Sequence, residues 1–413
     1  MCSNTAQRRY RGNWRTCVSR PRTPLSTTGH DPDDVVRVLD DLILDAVQAR
    51  ASDVHIEPKE DRLRIRYRID GVMSEQPSMK AKLALPLISR IKVLAKMDIA
   101  ERRQPQDGTF KTDLGRLGRV SLRASTFPCF EGEKMVMRVL RAGDILPLDK
   151  LGMSPGQMVQ LRNLVGRTGG LLLVTGPTGS GKTSTLYAAL AELDTKRLNI
   201  VTLEDPMEVQ IPDITQGQVN RRAGFTFSAG LRAILRQDPD VILVGEMRDP
   251  ETAAIAVQAS LTGHLVLSTM HTNSAIETIT RLIDIGLEPY VVANAMIGVL
   301  SQRLVRVVCP HCAEEYVLGR NVTDEVGFPI PPESHFLRAV GCERCLYTGF
   351  RGRTGIFEIV EMEDRLRTMV KQKAETHEIK AHLRERGIPT LRRVGFQFAL
   401  QGRTTAAEVL RVT

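Results

Sequence analysis

The stretch from residue 176 to residue 183 reads Gly-Pro-Thr-Gly-Ser-Gly-Lys-Thr and has the spacing G-x-x-x-x-G-K-T. An apolar run typical of a buried strand, residues 171–175, precedes it, and a helix pattern, residues 184–193, follows it. A phosphate-binding loop requires this order of strand, glycine-rich loop and helix. Glycines let backbone N–H groups turn towards phosphate oxygens, and the helix N-terminus adds a positive partial charge. The stretch therefore predicts a nucleotide-phosphate site in an α/β domain.

Two side chains of this loop have distinct predicted tasks. Lys182 is expected to reach the β- and γ-phosphates of ATP, and the hydroxyl of Thr183 is expected to ligate Mg²⁺. A chance glycine-rich turn is the alternative, which the flanking strand and helix disfavour. The predicted nucleotide-binding residues of the loop are Gly176, Pro177, Thr178, Gly179, Ser180, Gly181, Lys182, Thr183 and Ser184.

Composition bounds the class of protein. The 413 residues suffice for two or three domains, and no apolar run approaches the roughly 20 residues that a membrane span requires. The N-terminus has no apolar segment of a secretory signal, so we expect a cytosolic protein. The formal net charge of +9 permits a nucleic-acid or anionic-membrane partner, but a basic tail also explains it. We favour the tail because six arginines fall within the first 22 residues.

Four regions follow one another along the chain. Residues 1–30 lack periodicity and are predicted to form a disordered basic tail. Residues 31–140 combine a 3.6-residue helical period with alternating strands, which predicts a small α+β domain. Residues 141–153 contain two glycines and a proline and are predicted to be a linker. Residues 154–413 alternate strands and helices, which predicts a doubly wound α/β domain.

Two further predicted strands end in acids. Glu204 follows the apolar run 200–203, and Glu246 follows the run 241–244 after one glycine. In nucleotide hydrolases an acid at the carboxyl end of such a strand faces the Mg²⁺–phosphate site. One of the two is expected to orient or deprotonate the attacking water while the other helps to hold the metal; their spacing does not say which. A salt-bridge role is the alternative for either.

Two histidines, His264 and His271, flank another predicted strand. A lone histidine is more often a structural residue, but two that flank a strand of this core favour a γ-phosphate-sensing role for either. A metal site is disfavoured here because no third ligand has suitable spacing.

Four cysteines form two C-x-x-C pairs, Cys309 with Cys312 and Cys342 with Cys345. Four thiolates in tetrahedral geometry suit Zn²⁺, and the long gap between the pairs can close as a loop insertion. A redox pair is the weaker alternative. Because such a site has no open coordination position, we expect the zinc to be structural.

Several stretches in one order make the chain resemble the secretion ATPases of the type II secretion and type IV pilus assembly family, a branch of the additional-strand P-loop ATPases. The resemblance covers nearly everything from residue 33 to residue 413. Besides the phosphate loop it includes an aspartate box at 199–208, a Walker B region at 235–249 and a histidine box at 258–273. The other matching stretches are 52–58, 66–71, 100–108, 132–134 and 351–358.

The resemblance implies a RecA-like P-loop ATPase core, a smaller N-terminal α+β domain and a tetracysteine zinc insertion at about 308–350. It implies a homo-hexameric ring that hydrolyses ATP, with the smaller domain moving against the ATPase domain at each turnover. Arg123 and Arg138 match family arginines that reach the nucleotide. The alternative is that they pair with local acids such as Glu131 and Glu133.

The resemblance also implies partners and a location. The motion would be passed to an inner-membrane platform protein to build a pilus or a pseudopilus, and a cytoplasmic recruiting protein would hold the ring at the membrane periphery. The tetracysteine element indicates the assembly branch. A nucleic-acid-translocating P-loop ring is the alternative that the basic charge permits, but no nucleic-acid partner is expected because the sequence lacks an aromatic-interleaved basic patch. A catalytically dead regulator is disfavoured by the intact loop and acids.

Overall fold

The computed structural model describes residues 34–115, 118–140, 145–317, 328–331 and 334–413. The predicted basic tail lies outside these ranges. The chain divides into two units, Met1–Gly143 and Asp144–Thr413, and each has its own sheet. In the described ranges, no helix has both the length and the apolar character that a bilayer crossing needs.

An antiparallel sheet forms the first unit, with strand order β3-β2-β1-β7-β6-β5 and a short β4 paired to β2. The helices α1 (Val35–Gln48) and α2 (Ala84–Leu94) contribute buried apolar side chains to its core. The strands are β1 (Ala51–Pro58), β2 (Arg62–Ile69), β3 (Val72–Glu75), β4 (Met79–Lys80), β5 (Gln106–Asp113), β6 (Arg119–Cys129) and β7 (Gly132–Leu140).

Alternation along the strands gives this sheet an apolar face and a charged face. In β2 the apolar side chains at positions 63, 65, 67 and 69 are buried, while the arginines at 64, 66 and 68 are only half-buried on the other face. Successive side chains of a strand point to opposite faces, so the pattern follows directly from the sequence. The charged face carries Arg123 and Arg138.

A buried ion pair joins α2 to the first residues of β7. Lys92 Nζ lies 2.6 Å from Glu133 Oε1, and the two side chains are 1% and 6% exposed. Lys92 also donates to the carbonyl of Glu101 at 2.7 Å. Breaking one partner of such a pair leaves an uncompensated charge in the interior, so this contact fixes the hairpin of β6 and β7 on the helix.

The second unit contains a mostly parallel sheet with strand order β10-β9-β11-β12-β8-β13-β16, in which only β16 is antiparallel to its neighbour. Its strands are β8 (Gly170–Thr175), β9 (Ile200–Glu204), β10 (Thr215–Gln218), β11 (Val241–Val244), β12 (Leu265–Met270), β13 (Met296–Val308) and β16 (Phe350–Glu361). Between β13 and β16 the chain forms a separate two-stranded sheet, β14 (Ala313–Val317) with β15 (His335–Ala339).

Helices cover both faces of the large sheet. Every residue of β8 is buried: Leu171 and Leu173 belong to one apolar cluster, and Leu172 and Val174 belong to the other. A continuous apolar strand is expected where both faces of a parallel sheet are covered. The helices are α3 (Pro155–Val165), α4 (Lys182–Leu190), α5 (Phe227–Ile234), α6 (Pro250–Leu261), α7 (Ala275–Asp284), α8 (Pro289–Ala295), α9 (Asp364–Lys371), α10 (Thr376–Glu385), α11 (Leu391–Leu400) and α12 (Ala406–Val412).

The segment predicted as a linker contributes to the core of the second unit. Leu148, Leu151 and Met153 are buried in the cluster that also contains Leu172 and Val174. Burying three large apolar side chains stabilises this packed arrangement over a free linker by the hydrophobic effect. The glycines and the proline of this segment could not reveal that the apolar residues between them pack against the sheet of the second unit.

Candidate active site

The glycine-rich loop leaves the buried end of β8 and leads into α4. Gly176 has a φ of +151°, and a Cβ there would lie 2.4 Å from the backbone oxygen of Gln302 and 2.6 Å from Ser180 Oγ. Gly181 has a φ of +88° and is the residue before the first turn of α4. A side chain at either position would meet β13 or adopt a strained backbone, so the close approach of loop to strand requires these glycines.

Lys182 points into its own loop. Its side chain is 8% exposed, and Nζ donates to the carbonyls of Gly176 at 2.8 Å and of Pro177 at 3.1 Å. Burial lowers the pKa of Lys182 to about 8, although the nearby charge of Glu246 opposes the shift. The ammonium group thus lies at the mouth of the loop, where phosphate oxygens can replace the two carbonyls.

The rest of the loop also fits a phosphate ligand. The hydroxyl of Ser180 is buried and has no hydrogen-bond partner among the described residues. Buried polar groups normally have a partner, so this hydroxyl is available to bind a ligand inside the loop. Thr183 is half-buried and Ser184 is exposed in the first turn of α4. This is where a helix N-terminus presents backbone N–H groups and hydroxyls to an anion and its metal.

Glu204 is the last residue of β9 and is 3% exposed. Its Oε1 accepts hydrogen bonds from Thr202 Oγ1 at 2.7 Å and Gln216 Nε2 at 3.2 Å. Its Oε2 accepts a hydrogen bond from the hydroxyl of Tyr187 on α4. Three donors therefore fix a buried carboxylate beside the helix that begins with Lys182.

Glu246 follows β11, which lies between β9 and β12. Its Oε2 is 2.6 Å from Arg248 Nε and 3.6 Å from His271 Nε2. Burial lowers the pKa of His271, and the positive charges of Lys182 and Arg248 act in the same direction, although Glu246 opposes them. His271 is therefore neutral at neutral pH, so one of its ring nitrogens is an N–H donor and the other an acceptor.

Parallel strands bring these groups to one edge of the sheet. The phosphate loop, Glu204, Glu246 and His271 each lie at or just beyond the carboxyl end of their strands, and ligands of open α/β sheets bind at this edge. His264 precedes β12 and lies at the opposite edge, about 20 Å of strand away. Its Nδ1 is 2.9 Å from the carbonyl oxygen of Ala259. His264 and the phosphate loop therefore lie at opposite edges of the sheet within one chain.

Arg123 and Arg138 are directly opposite each other on β6 and β7 of the first unit. Arg138 Nε donates to Asp53 Oδ1 at 2.9 Å, and Arg123 Nη2 is 3.9 Å from Asp107 Oδ1. The side chain of Arg138 is 62% exposed and that of Arg123 is 44% exposed, so both remain accessible to a ligand. Two like charges on facing positions repel each other, and the buried Asp53 on β1 offsets part of this charge through its contact with Arg138.

Glu131 and Glu133, the alternative partners predicted for these arginines, form ion pairs with lysines instead. Glu131 lies 3.3 Å from Lys59, and Glu133 is buried against Lys92. Strand register, which sequence distance does not give, decides these pairings.

The four paired cysteines meet in space. All four sulfur atoms lie within 4.8 Å of one another, and the separations Cys309–Cys342, Cys312–Cys345 and Cys342–Cys345 are 3.9, 3.8 and 3.8 Å. Zinc–sulfur bonds of about 2.3 Å in a tetrahedron place sulfurs about 3.8 Å apart. Backbone N–H groups of Cys342 and Gly349 point at the sulfur of Cys345 at 3.1 and 3.2 Å, as they do around a thiolate. The cluster fits a structural metal.

Sequence reasoning missed two residues of this site, Tyr187 and Gln302. Gln302 on β13 is 2% exposed and accepts a hydrogen bond from Thr185 of α4 through Oε1 at 2.8 Å, which anchors the loop helix to the sheet. Tyr187 binds Glu204. The sequence signal that could have identified Tyr187 is a tyrosine within the mostly apolar stretch 186–190. A tyrosine hydroxyl buried in such a stretch usually has a hydrogen-bond partner.

Comparisons with known proteins identify relatives of this chain. Type II secretion system protein E of Pseudomonas aeruginosa is 48% identical over 397 residues, which cover 95% of this chain and 78% of that protein. The type II secretion system ATPase E of Vibrio cholerae is 46% identical over 385 residues, covering 93% and 76%. The crystal structure of the pilus retraction motor PilT with bound ADP has a TM-score of 0.62 at 26% identity and covers 91% of this chain and 96% of that one.

The Legionella pneumophila ATPase DotB shares the fold, with a TM-score of 0.68 at 19% identity over 91% of this chain and 95% of that one. A sequence profile of type II/IV secretion system proteins matches residues 28–411. Given this match and relatives nearly half identical along most of its length, the chain belongs to the type II/IV secretion system protein family and has its RecA-like P-loop fold.

Proposed function

We propose that this protein hydrolyses ATP to ADP and phosphate, and that turnover drives assembly of a type II secretion pseudopilus or a type IV pilus. The observation that carries the proposal is the convergence of the phosphate loop, Glu204, Glu246 and His271 on one edge of the second sheet. Membership of the secretion family supports the coupling. A nucleic-acid-translocating ring is the other candidate, and no described feature favours it.

The chain's own residues would carry out distinct parts of the reaction. Lys182 exchanges the carbonyls of its loop for the β- and γ-phosphates, and the Thr183 hydroxyl would hold the Mg²⁺ that offsets phosphate charge. One carboxylate, Glu204 or Glu246, orients the attacking water or accepts a proton from it. The other carboxylate helps to hold the metal. His271, close to Glu246, would sense the γ-phosphate by donating an N–H hydrogen bond.

We propose a homo-hexamer in which Arg123 and Arg138 reach ATP bound at Lys182 in the same or a neighbouring subunit. Arginine suits this task because its planar fork stays charged and donates two hydrogen bonds to a phosphate. The ring would work in the cytoplasm at the periphery of the inner membrane, held there by a cytoplasmic recruiting protein and acting on an inner-membrane platform protein.

Substitution of the loop lysine tests the hydrolytic site. Lys182→Ala should lower the turnover of ATP by at least about 100-fold, because it removes a charged contact that strengthens as phosphate charge develops. Circular dichroism should show an unchanged fold, and the exposed lysine variant Lys196→Ala should keep full activity. A folded Lys182→Ala protein with normal turnover would show that this loop is not the active site.

The low pKa of Lys182 predicts a pH dependence of ATP binding. Burial disfavours the charged lysine in the free protein, with a pKa of about 8, whereas bound phosphates favour it. ATP affinity should therefore be flat just below pH 8 and fall by up to about tenfold per pH unit above it, with proton uptake on binding. Titration calorimetry in buffers of different ionisation enthalpy measures both quantities. Constant affinity and no proton uptake at pH 9 would contradict the interpretation.

The cysteine cluster should bind one Zn²⁺ per chain. Cys312→Ser should lower the zinc content and increase hydrogen exchange between residues 308 and 353 before it affects the nucleotide core, because the insertion depends on its own metal. The exposed Cys129→Ser is the matched control and should change neither. Purified protein with four free thiols at these positions and no stoichiometric zinc would refute the assignment.

Mixed rings test the arginines. Arg123→Ala should reduce turnover more than ATP affinity, because the charge to be offset is greatest in the transition state. Arg123→Ala and Glu204→Gln chains should each be nearly inactive alone. If the arginine acts across a subunit boundary, an equal mixture of the two chains should regain activity. About a quarter of its interfaces would then combine an intact Glu204 with an intact Arg123 from the neighbouring subunit. The exposed Arg119→Ala on the same strand is the control.

Confirmed mixed rings as inactive as either parent would exclude the arrangement across subunits. An Arg123→Ala, Arg138→Ala double variant with normal turnover would exclude any catalytic role for the pair.

A further inference from the structure

Tyr187 links the helix of the phosphate loop to the buried carboxylate of Glu204. It lies five residues after Lys182 on α4, and its side chain is 3% exposed. Its hydroxyl donates to Glu204 Oε2. On its other side the phenol oxygen accepts a hydrogen bond from the backbone N–H of Glu208 at 3.4 Å. The hydroxyl is thus held from two directions at the carboxyl end of β9.

The two carboxylate oxygens of Glu204 do not have equivalent surroundings. Oε1 has two donors, Thr202 and Gln216. For Oε2, the donor that the described residues supply is Tyr187. Removal of the phenol hydroxyl would therefore leave Oε2 buried without its donor, and the carboxylate would rotate or lose the stabilisation of its charged form.

A packing role alone does not account for this tyrosine. A phenylalanine would fill the same space in the core with one polar atom fewer to satisfy. Burial raises the pKa of Tyr187, and the hydrogen bond to negatively charged Glu204 raises it further. The hydroxyl therefore remains protonated, and remains a donor, throughout the pH range in which the protein can work.

We propose that Tyr187 is a positioning residue for hydrolysis: it orients Glu204 towards the water that attacks ATP and ties that orientation to the phosphate-loop helix. The inference rests on the proposed function and takes Glu204, rather than Glu246, as the carboxylate that acts on the water. Tyr187 itself touches neither ATP nor water in this role. Because α4 begins at Lys182, the same helix holds the phosphates at its first turn and the carboxylate one turn later.

The test is Tyr187→Phe in the full-length protein, with ATP turnover measured against ATP concentration and pH. A lost hydrogen bond to a charged group predicts a fall in kcat of about 10- to 100-fold, with KM for ATP changed by less than about threefold. The acid limb of the kcat–pH profile should move to higher pH, because the carboxylate loses a donor that favours its charged form. Tyr290→Phe, at an exposed tyrosine, should leave all three quantities unchanged.

A second substitution keeps the proposal testable if the phenylalanine variant does not fold. Replacing Tyr187 with difluorotyrosine retains the hydroxyl and makes it a stronger donor. The acid limb should then move to lower pH, opposite to the phenylalanine variant. A residue that only fills space would produce no shift in either direction.

Glu204→Gln separates failure of the inference from failure of the proposed function. If Glu204→Gln is inactive while Tyr187→Phe has wild-type kcat and pH profile, Tyr187 is not a positioning residue and the proposed function stands. If Glu204→Gln retains full turnover, the proposed role of Glu204 is wrong, and the role of Tyr187 fails with it. The double variant should be no less active than Glu204→Gln alone, because both changes act through one carboxylate.

Discussion

The parallel direction of neighbouring strands in the second sheet is the constraint on which the site depends. Because β8, β9, β11 and β12 run the same way, groups far apart in sequence emerge at one edge. The close approach of the loop to the Gln302 backbone then fixes where phosphates can lie, and only glycine at position 176 permits it. Lys182 and Glu204 are both buried at this edge, so two groups of opposite charge lie beside the predicted nucleotide site.

Charge organisation differs between the two units. At the carboxyl ends of the strands in the second unit, the buried charged groups Lys182 and Glu204 are each held by hydrogen bonds to residues of the same unit. On the charged face of the first unit, Arg138 and Arg123 stand in one row across the sheet with Arg68, and Asp53 is the acid between the strands. Such a row has an excess of positive charge, which a phosphate or an acidic surface would offset. This excess of positive charge supports the proposal, made from the family resemblance, that Arg123 and Arg138 contact ATP.

Local patterns predicted a large part of the fold and of the site. The loop, the acid-terminated strands and the cysteine pairs are each encoded within a few residues, and the parallel sheet follows from alternating strands and helices. Long-range contacts were not predictable in this way. Nothing local shows that Tyr187 contacts Glu204, that Arg138 pairs with Asp53, or that the apolar side chains between residues 148 and 153 are buried. His264 and His271 flank one parallel strand, so they lie at opposite edges of the sheet, and only His271 shares the edge of the phosphate loop within one chain.

An experimental structure of the protein with Mg²⁺ and a non-hydrolysable ATP analogue tests the central claim most directly. The account predicts phosphates in the loop of residues 176–183, with Lys182 Nζ moved from the Gly176 carbonyl to the β- and γ-phosphate oxygens. It also predicts Glu204 and Glu246 on the γ-phosphate side, with Tyr187 still bound to Glu204. A nucleotide bound elsewhere, with Lys182 still donating to Gly176, would contradict it.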